Sequence, residues 1–209
     1  MQKDKKTNEK NEIPSPFTEE INHDFIVDKE PDKNDYYYDA MECLNSGKSG
    51  VKEALKLLET ALEMDEDYVQ TYVGLISTYG ILGKEEETEE MIQMAYKKTL
   101  KKFPKWPRSM QWGFLENRAY LRAIQFKAEQ YWDNEEDDKA IELFRLLLKL
   151  NPNDNQGVRY EIAGLYAGLC SDDINEMFDY GNCNQDWGDL ETLVLEQNKK
   201  YKFWKELKY

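Results

Sequence analysis

The chain has 209 residues, 42 of them acidic and 28 basic, for a formal charge of −14. Such an anionic surface repels phosphate backbones and acidic lipid headgroups, which argues against nucleic acid and membrane as direct partners. Hydrophobic residues make up 40%, with 5 Trp, 14 Tyr and 8 Phe, which is enough to bury a core and too much for a wholly disordered chain.

Residues 1–34 hold fifteen charged side chains, three prolines and no sustained period, the composition of a solvated, largely disordered arm. Within it Phe17, Ile21 and Phe25 fall at i, i+4 and i+8, so a short helix there would carry one apolar stripe for docking on the folded body or on a partner. No apolar run follows the N-terminal lysines, and no later stretch approaches the roughly 18 uninterrupted apolar residues of a membrane span. Three cysteines, Cys43, Cys170 and Cys183, leave at least one thiol unpaired in any intramolecular scheme. A cytoplasmic, reducing location is the expectation from these features.

From Asp35 onward apolar residues recur at helical spacing, in paired segments separated by short Gly, Lys, Asn or Asp turns. The pairs fall at about 35–66, 69–103, 116–152 and 155–181, and an amphipathic stretch follows at about 189–207. The third is the clearest: ENRAYLRAIQFKAEQYW, the turn DNEED, then DKAIELFRLLLKL, closed by Asn151 and Pro152, where proline cannot continue the helix. The second half of the fourth, DDINEMFDYG, reads as truncated. In the last stretch Leu190, Leu193, Val194, Tyr201, Trp204 and Leu207 share one face, suiting a terminal helix that covers the open end of a stack. Between the second and third pairs the segment PKWPRSMQWGF predicts a bend or inserted turn.

Counted back from Pro152, the residues Ile124, Ala128, Tyr131, Ala140, Phe144 and Leu147 resemble the small and large signature positions of a tetratricopeptide repeat. Lys127 departs from that pattern, standing where the family places an apolar residue. A second copy carries Tyr72, Leu75, Tyr79, Gly83, Ile92 and Ala95. A weaker one carries Tyr38, Ala54, Leu58 and Ala61, and another Tyr160, Ala163, Gly164 and Ala167. From Ala54 to Thr88 the spacing is 34 residues, as the repeat requires, whereas from Thr88 to Ala140 it is 52. The resemblance implies an all-α fold, a right-handed superhelical stack of helical hairpins (an α-solenoid) over residues 35–209, with a C-terminal capping helix.

It further implies a protein or peptide partner held on a concave face lined by first helices. The positions that carry over are Tyr36, Asp39 and Cys43, then Gln70, Val73 and Ser77, then Arg122, Gln125, Phe126, Glu129 and Trp132, then Glu161 and Leu165. Where one subclass of the family places the lysine and asparagine that grip a terminal carboxylate, this chain has Asp39, Cys43 and Gly74, so that partner class is not expected. Self-association of terminal repeats into a homo-oligomeric scaffold is the alternative. A carboxylate-dependent enzyme, with Glu129 and Glu161 facing one groove, is a remote third.

Other chemical signals are weak. Gly47, Lys48 and Ser49 imitate the end of a phosphate-binding loop, but Glu42 stands where its first glycine belongs and no strand precedes it. His23 is the only histidine, which removes histidine-based nucleophile pairs and metal sites. Cys170 and Cys183, thirteen residues apart, have no histidine near them and would join a zinc site only with outside ligands. No catalytic residue, cofactor or metal is expected.

Overall fold

The computed structural model describes residues 30–205; the apolar stripe Phe17, Ile21, Phe25, the histidine and Leu207 lie outside them. Among the described residues there are nine α-helices and no strand, an arrangement consistent with a helical repeat. None of the helices is long and apolar enough to cross a membrane.

The first helix, α1 (Lys33–Asn45), takes in the last residues of the expected arm. It starts on a capping box: Asp35 N donates to Asp32 Oδ1 at 3.3 Å and Asp32 N donates to Asp35 Oδ2 at 2.7 Å. A 3-10 turn, Gly47–Ser49, leads to α2 (Val51–Met64), whose Ala54, Leu58 and Ala61 are fully buried. In α1 the buried pair is Tyr37 and Ala40, while Tyr38 is 52% exposed. This corrects the register read from the repeat pattern by one residue. The loop from Ser46 to Gly50 is longer than the other tight helix-to-helix turns, so α1 slides one position relative to α2.

The next pair, α3 (Val69–Leu82) and α4 (Glu85–Lys102), packs closely, and so does α5 (Leu115–Asp133) with α6 (Asp137–Leu150). The α3 turn closes on Gly83 at φ 67, with Lys84 N donating to Tyr79 O at 3.0 Å. After α5 the same bond, from Glu136 N to Tyr131 O at 2.8 Å, is made around Glu135 at φ 59. After α7 (Val158–Ala167) it recurs from Leu169 N to Gly164 O at 3.0 Å, around Gly168 at φ 75. A reversal this tight requires one left-handed residue, which glycine adopts freely and glutamate only at a cost.

Small residues set the spacing between helices. Ala128, Ala140 and Phe144 are fully buried, and Ile124 and Leu147 complete the same core. At Gly164 an added Cβ would lie 2.6 Å from Ile174 Cγ1 and 3.1 Å from Trp132, so only glycine admits this approach.

Three features depart from the sequence reading. Residues 103–114 form more than a bend: Met110 is buried in the α5–α9 core, and its N–H donates to Leu150 O at 2.6 Å. The second helix of the fourth pair is a full 14 residues, α8 (Ser171–Asn184), yet α7 packs more extensively on α9 (Gly188–Tyr201) than on α8. The capping helix also ends earlier, at Tyr201. Lys202 is left-handed at φ 49, and Trp204 folds back, its N–H donating to Asn198 Oδ1 at 2.9 Å.

Candidate functional site

The first helices α3, α5 and α7 bring most of the nominated positions to the walls of three cavities. The first, about 560 Å³, lies between α3, α4 and α5 and takes in Ile76, Ser77, Ile92, Phe126 and Glu129. Next to it, a cavity of about 850 Å³ is bounded by α5, α7, the α7–α8 turn and α8, with Glu129, Trp132 and Glu161 in its wall. Glu129 and Asp133 border both. A smaller one of about 200 Å³, between α1, α3 and α5, gathers Gln70, Val73 and Arg122.

The nominated residues differ in what they offer. Ser77 is exposed and Phe126 half-buried, so both present surface. Val73, Trp132 and Leu165 are core residues, 4%, 6% and 7% exposed. The Trp132 ring packs edge-on against Phe144 at 6.2 Å and forms cavity wall, not a free anchor. Arg122 lies over the Trp112 ring at 5.4 Å, and Cys43 packs against the α1–α2 core. Tyr36 and Asp39 border none of the three cavities.

Gln125 turns toward α7 instead of into a cavity. Its Nε2 donates to Glu161 Oε1 at 2.9 Å, and Gln156 Nε2 donates to Gln125 Oε1 at 2.5 Å. Glu161 Oε2 is buried without a hydrogen-bond partner among the described residues. Helix α7 is held in place for this by Asp154, which accepts from Val158 N at 2.8 Å and Arg159 Nη1 at 2.9 Å, while Arg159 also reaches Glu191 of α9 at 3.1 Å.

Burial dominates the electrostatics of this region. It pushes the Glu129 carboxyl up to about 7, the Gln125 hydrogen bond opposing and the Asp133 charge adding. Glu161 is raised well above the carboxylate range, first by burial and then by the charge of Glu129. Lys127 is shifted down by burial. It is 6% exposed, its Nζ donates to Gln130 Oε1 at 2.9 Å and lies 4.2 Å from the Tyr131 ring centroid, so the lysine that departs from the repeat pattern is enclosed, not snorkelled to water.

Spacing of first-helix positions did not point to Asp133, Ser171 or Asp172. Asp133 follows Glu129 by one helical turn, a signal available in the sequence, and accepts from Ser171 Oγ at 2.6 Å. Ser171 and Asp172, the first two residues of α8, fall outside the first-helix positions that the repeat spacing nominates. Among the described residues no group of three His, Cys, Asp or Glu side chains is placed to hold a metal ion. No family model matches the chain, and no match to it is found among curated proteins.

Proposed function

We propose that this chain is a tetratricopeptide-type interaction module, working in a reducing, cytoplasmic setting, that holds a peptide or partner helix along the face formed by α3, α5 and α7. One observation carries the reading: Ser77, Phe126, Glu129 and Glu161, singled out by repeat position alone, border two adjoining cavities that share the Glu129 wall. Cavities of this size admit several side chains of an extended ligand, and half-buried aromatics beside a few polar groups suit protein recognition. Three free thiols accord with the reducing setting.

Affinity purification from the cell that makes the protein tests this, comparing wild type with Ser77→Arg, an exposed position whose substitution leaves the core untouched. The variant is expected to lose a partner that the wild type retains. Retention of every partner at wild-type level contradicts the assignment of this face.

Head-to-tail self-association is a second reading, favoured by the exposed Tyr180, Leu195 and Tyr201 of the last two helices, 57%, 60% and 46% exposed. Light scattering separates the two, since a strict monomer at high concentration removes it.

A further inference from the structure

We propose that the cavity between α1, α3 and α5 receives an acidic segment of the partner protein, one apolar side chain entering the cavity while a flanking side-chain carboxylate pairs with Arg118 and Arg122. The inference rests on the α3–α5–α7 binding reading and extends that face to α1.

Uncovered apolar surface marks the place. Tyr38 and Leu115, both on the cavity wall, are each 52% exposed, and Phe114, just before Leu115, is 61% exposed. With Met41 and Val73 behind them, about 200 Å³ is room for one large side chain. Apolar surface gathered in one place, unlike single scattered residues, is characteristic of interaction sites.

Charge decides what kind of segment fits. In a chain of net charge −14, this wall holds Arg118 and Arg122 and no carboxylate, whereas the other two cavities of the face are bordered by four and six carboxylates. The local sign is inverted. The two arginines stand one helical turn apart on α5, their guanidinium carbons 5.1 and 5.4 Å from the Trp112 ring centroid. Arg118 Nε donates to Trp112 O at 3.0 Å, which leaves its Nη groups for a guest. Arg122 makes no hydrogen bond or ion pair among the described residues. Half-buried and laid on an aromatic face, both forks are held before a ligand arrives, so little side-chain entropy is lost on pairing. Such a fork matches a carboxylate through two parallel charge-assisted bonds. Repulsion from the acidic remainder of the surface is screened over about 8 Å at physiological ionic strength, so pairing at contact range governs. The anion is a side chain of the segment, because the positions that would grip a terminal carboxylate are Asp39, Cys43 and Gly74.

NMR of the isotope-labelled full chain, titrated with the acetylated and amidated peptide Glu-Glu-Leu-Phe-Glu-Glu, tests the proposal. Saturable shifts are expected at the Trp112 indole N–H and at the Leu115 and Ala119 amides. The neutral counterpart Gln-Gln-Leu-Phe-Gln-Gln should shift none of them, and Glu-Glu-Ser-Ser-Glu-Glu, lacking the apolar side chains, should bind more weakly. Arg122→Gln, which breaks no hydrogen bond among the described residues, should weaken binding at least about tenfold. Arg122→Lys keeps the charge but not the fork and should restore only part of it. Equal shifts from the glutamine peptide or from inorganic phosphate alone, no shifts at these positions, or unchanged binding in Arg122→Gln would overturn it. Failure of the binding reading stays distinguishable, because Ser77 borders another cavity: in affinity purification a partner lost on Ser77→Arg but kept on Arg122→Gln sinks only the carboxylate assignment, whereas one kept on both removes the face itself.

Discussion

Glu129 shows how burial, opposed by the Gln125 hydrogen bond and reinforced by the Asp133 charge, retunes a side chain. Unfolded, its carboxyl titrates near 4.5; folded, near 7. Below about pH 4.5 both states are protonated and burial carries no electrostatic penalty. Above about pH 7 both are ionised and the folded state bears the full desolvation cost, at most a few kcal/mol. Stability is therefore lost as pH rises through that window. Glu129→Gln, which imitates the protonated form, should leave the melting temperature unchanged at about pH 4.5 and raise it at about pH 8; an offset that is the same at both values contradicts the assignment. Lys127 makes the converse case. With its charge enclosed and its Nζ held by Gln130 and the Tyr131 ring, Lys127→Met should be neutral or stabilising by about 1 kcal/mol in urea unfolding. A clear loss of stability would mean that the ammonium is a net stabiliser. The sequence exposed Lys127 as a departure from pattern, because one residue in a periodic helix is easily seen. It gave no sign of the buried Glu161 oxygen, since that depends on which way Gln125 turns between two helices.

At the level of elements, three hairpins close with the same left-handed residue and the same backbone bond, and one of them uses Glu135 where the others use glycine. Glu135→Gly should stabilise the chain by about 0.5–1 kcal/mol, the strain relieved outweighing the added freedom of the unfolded chain. An equally sized loss in denaturant melts would show that the turn is unstrained. Gly164→Ala is expected to act oppositely. Its Cβ would press on Ile174 Cγ1 at 2.6 Å, and the loss should be about 1–3 kcal/mol despite the better helix propensity of alanine. The all-helical class was legible because apolar spacing reports the face that each helix buries. Packing partners were less so. Spacing along one helix says nothing of where an irregular segment docks, so Met110 under α6 was missed, and neighbours in sequence suggested α8 for α7 where α9 is the closer companion. A longer α1–α2 loop moved the buried residue from Tyr38 to Tyr37 because loop length, not composition, sets the register between two helices.

Taken whole, the described residues combine an interior of branched aliphatic residues, alanines and a few aromatics with a strongly acidic exterior, and two cavities that interior packing leaves open along α3, α5 and α7. Their walls mix Phe126 with carboxylates, so one face offers apolar and anionic contacts side by side. Net negative charge disfavours acidic partners away from Arg118 and Arg122 and favours basic ones most where the charge is least hydrated. The most direct measurement of the binding account is site-specific photo-crosslinking in the native cell, with the crosslinker at Phe126 and, as control, at Lys149, which is exposed on α6 and borders none of the cavities described. A single protein partner trapped from position 126 and absent from position 149 is the predicted result; the same partner captured from position 149 and not from 126 would contradict it.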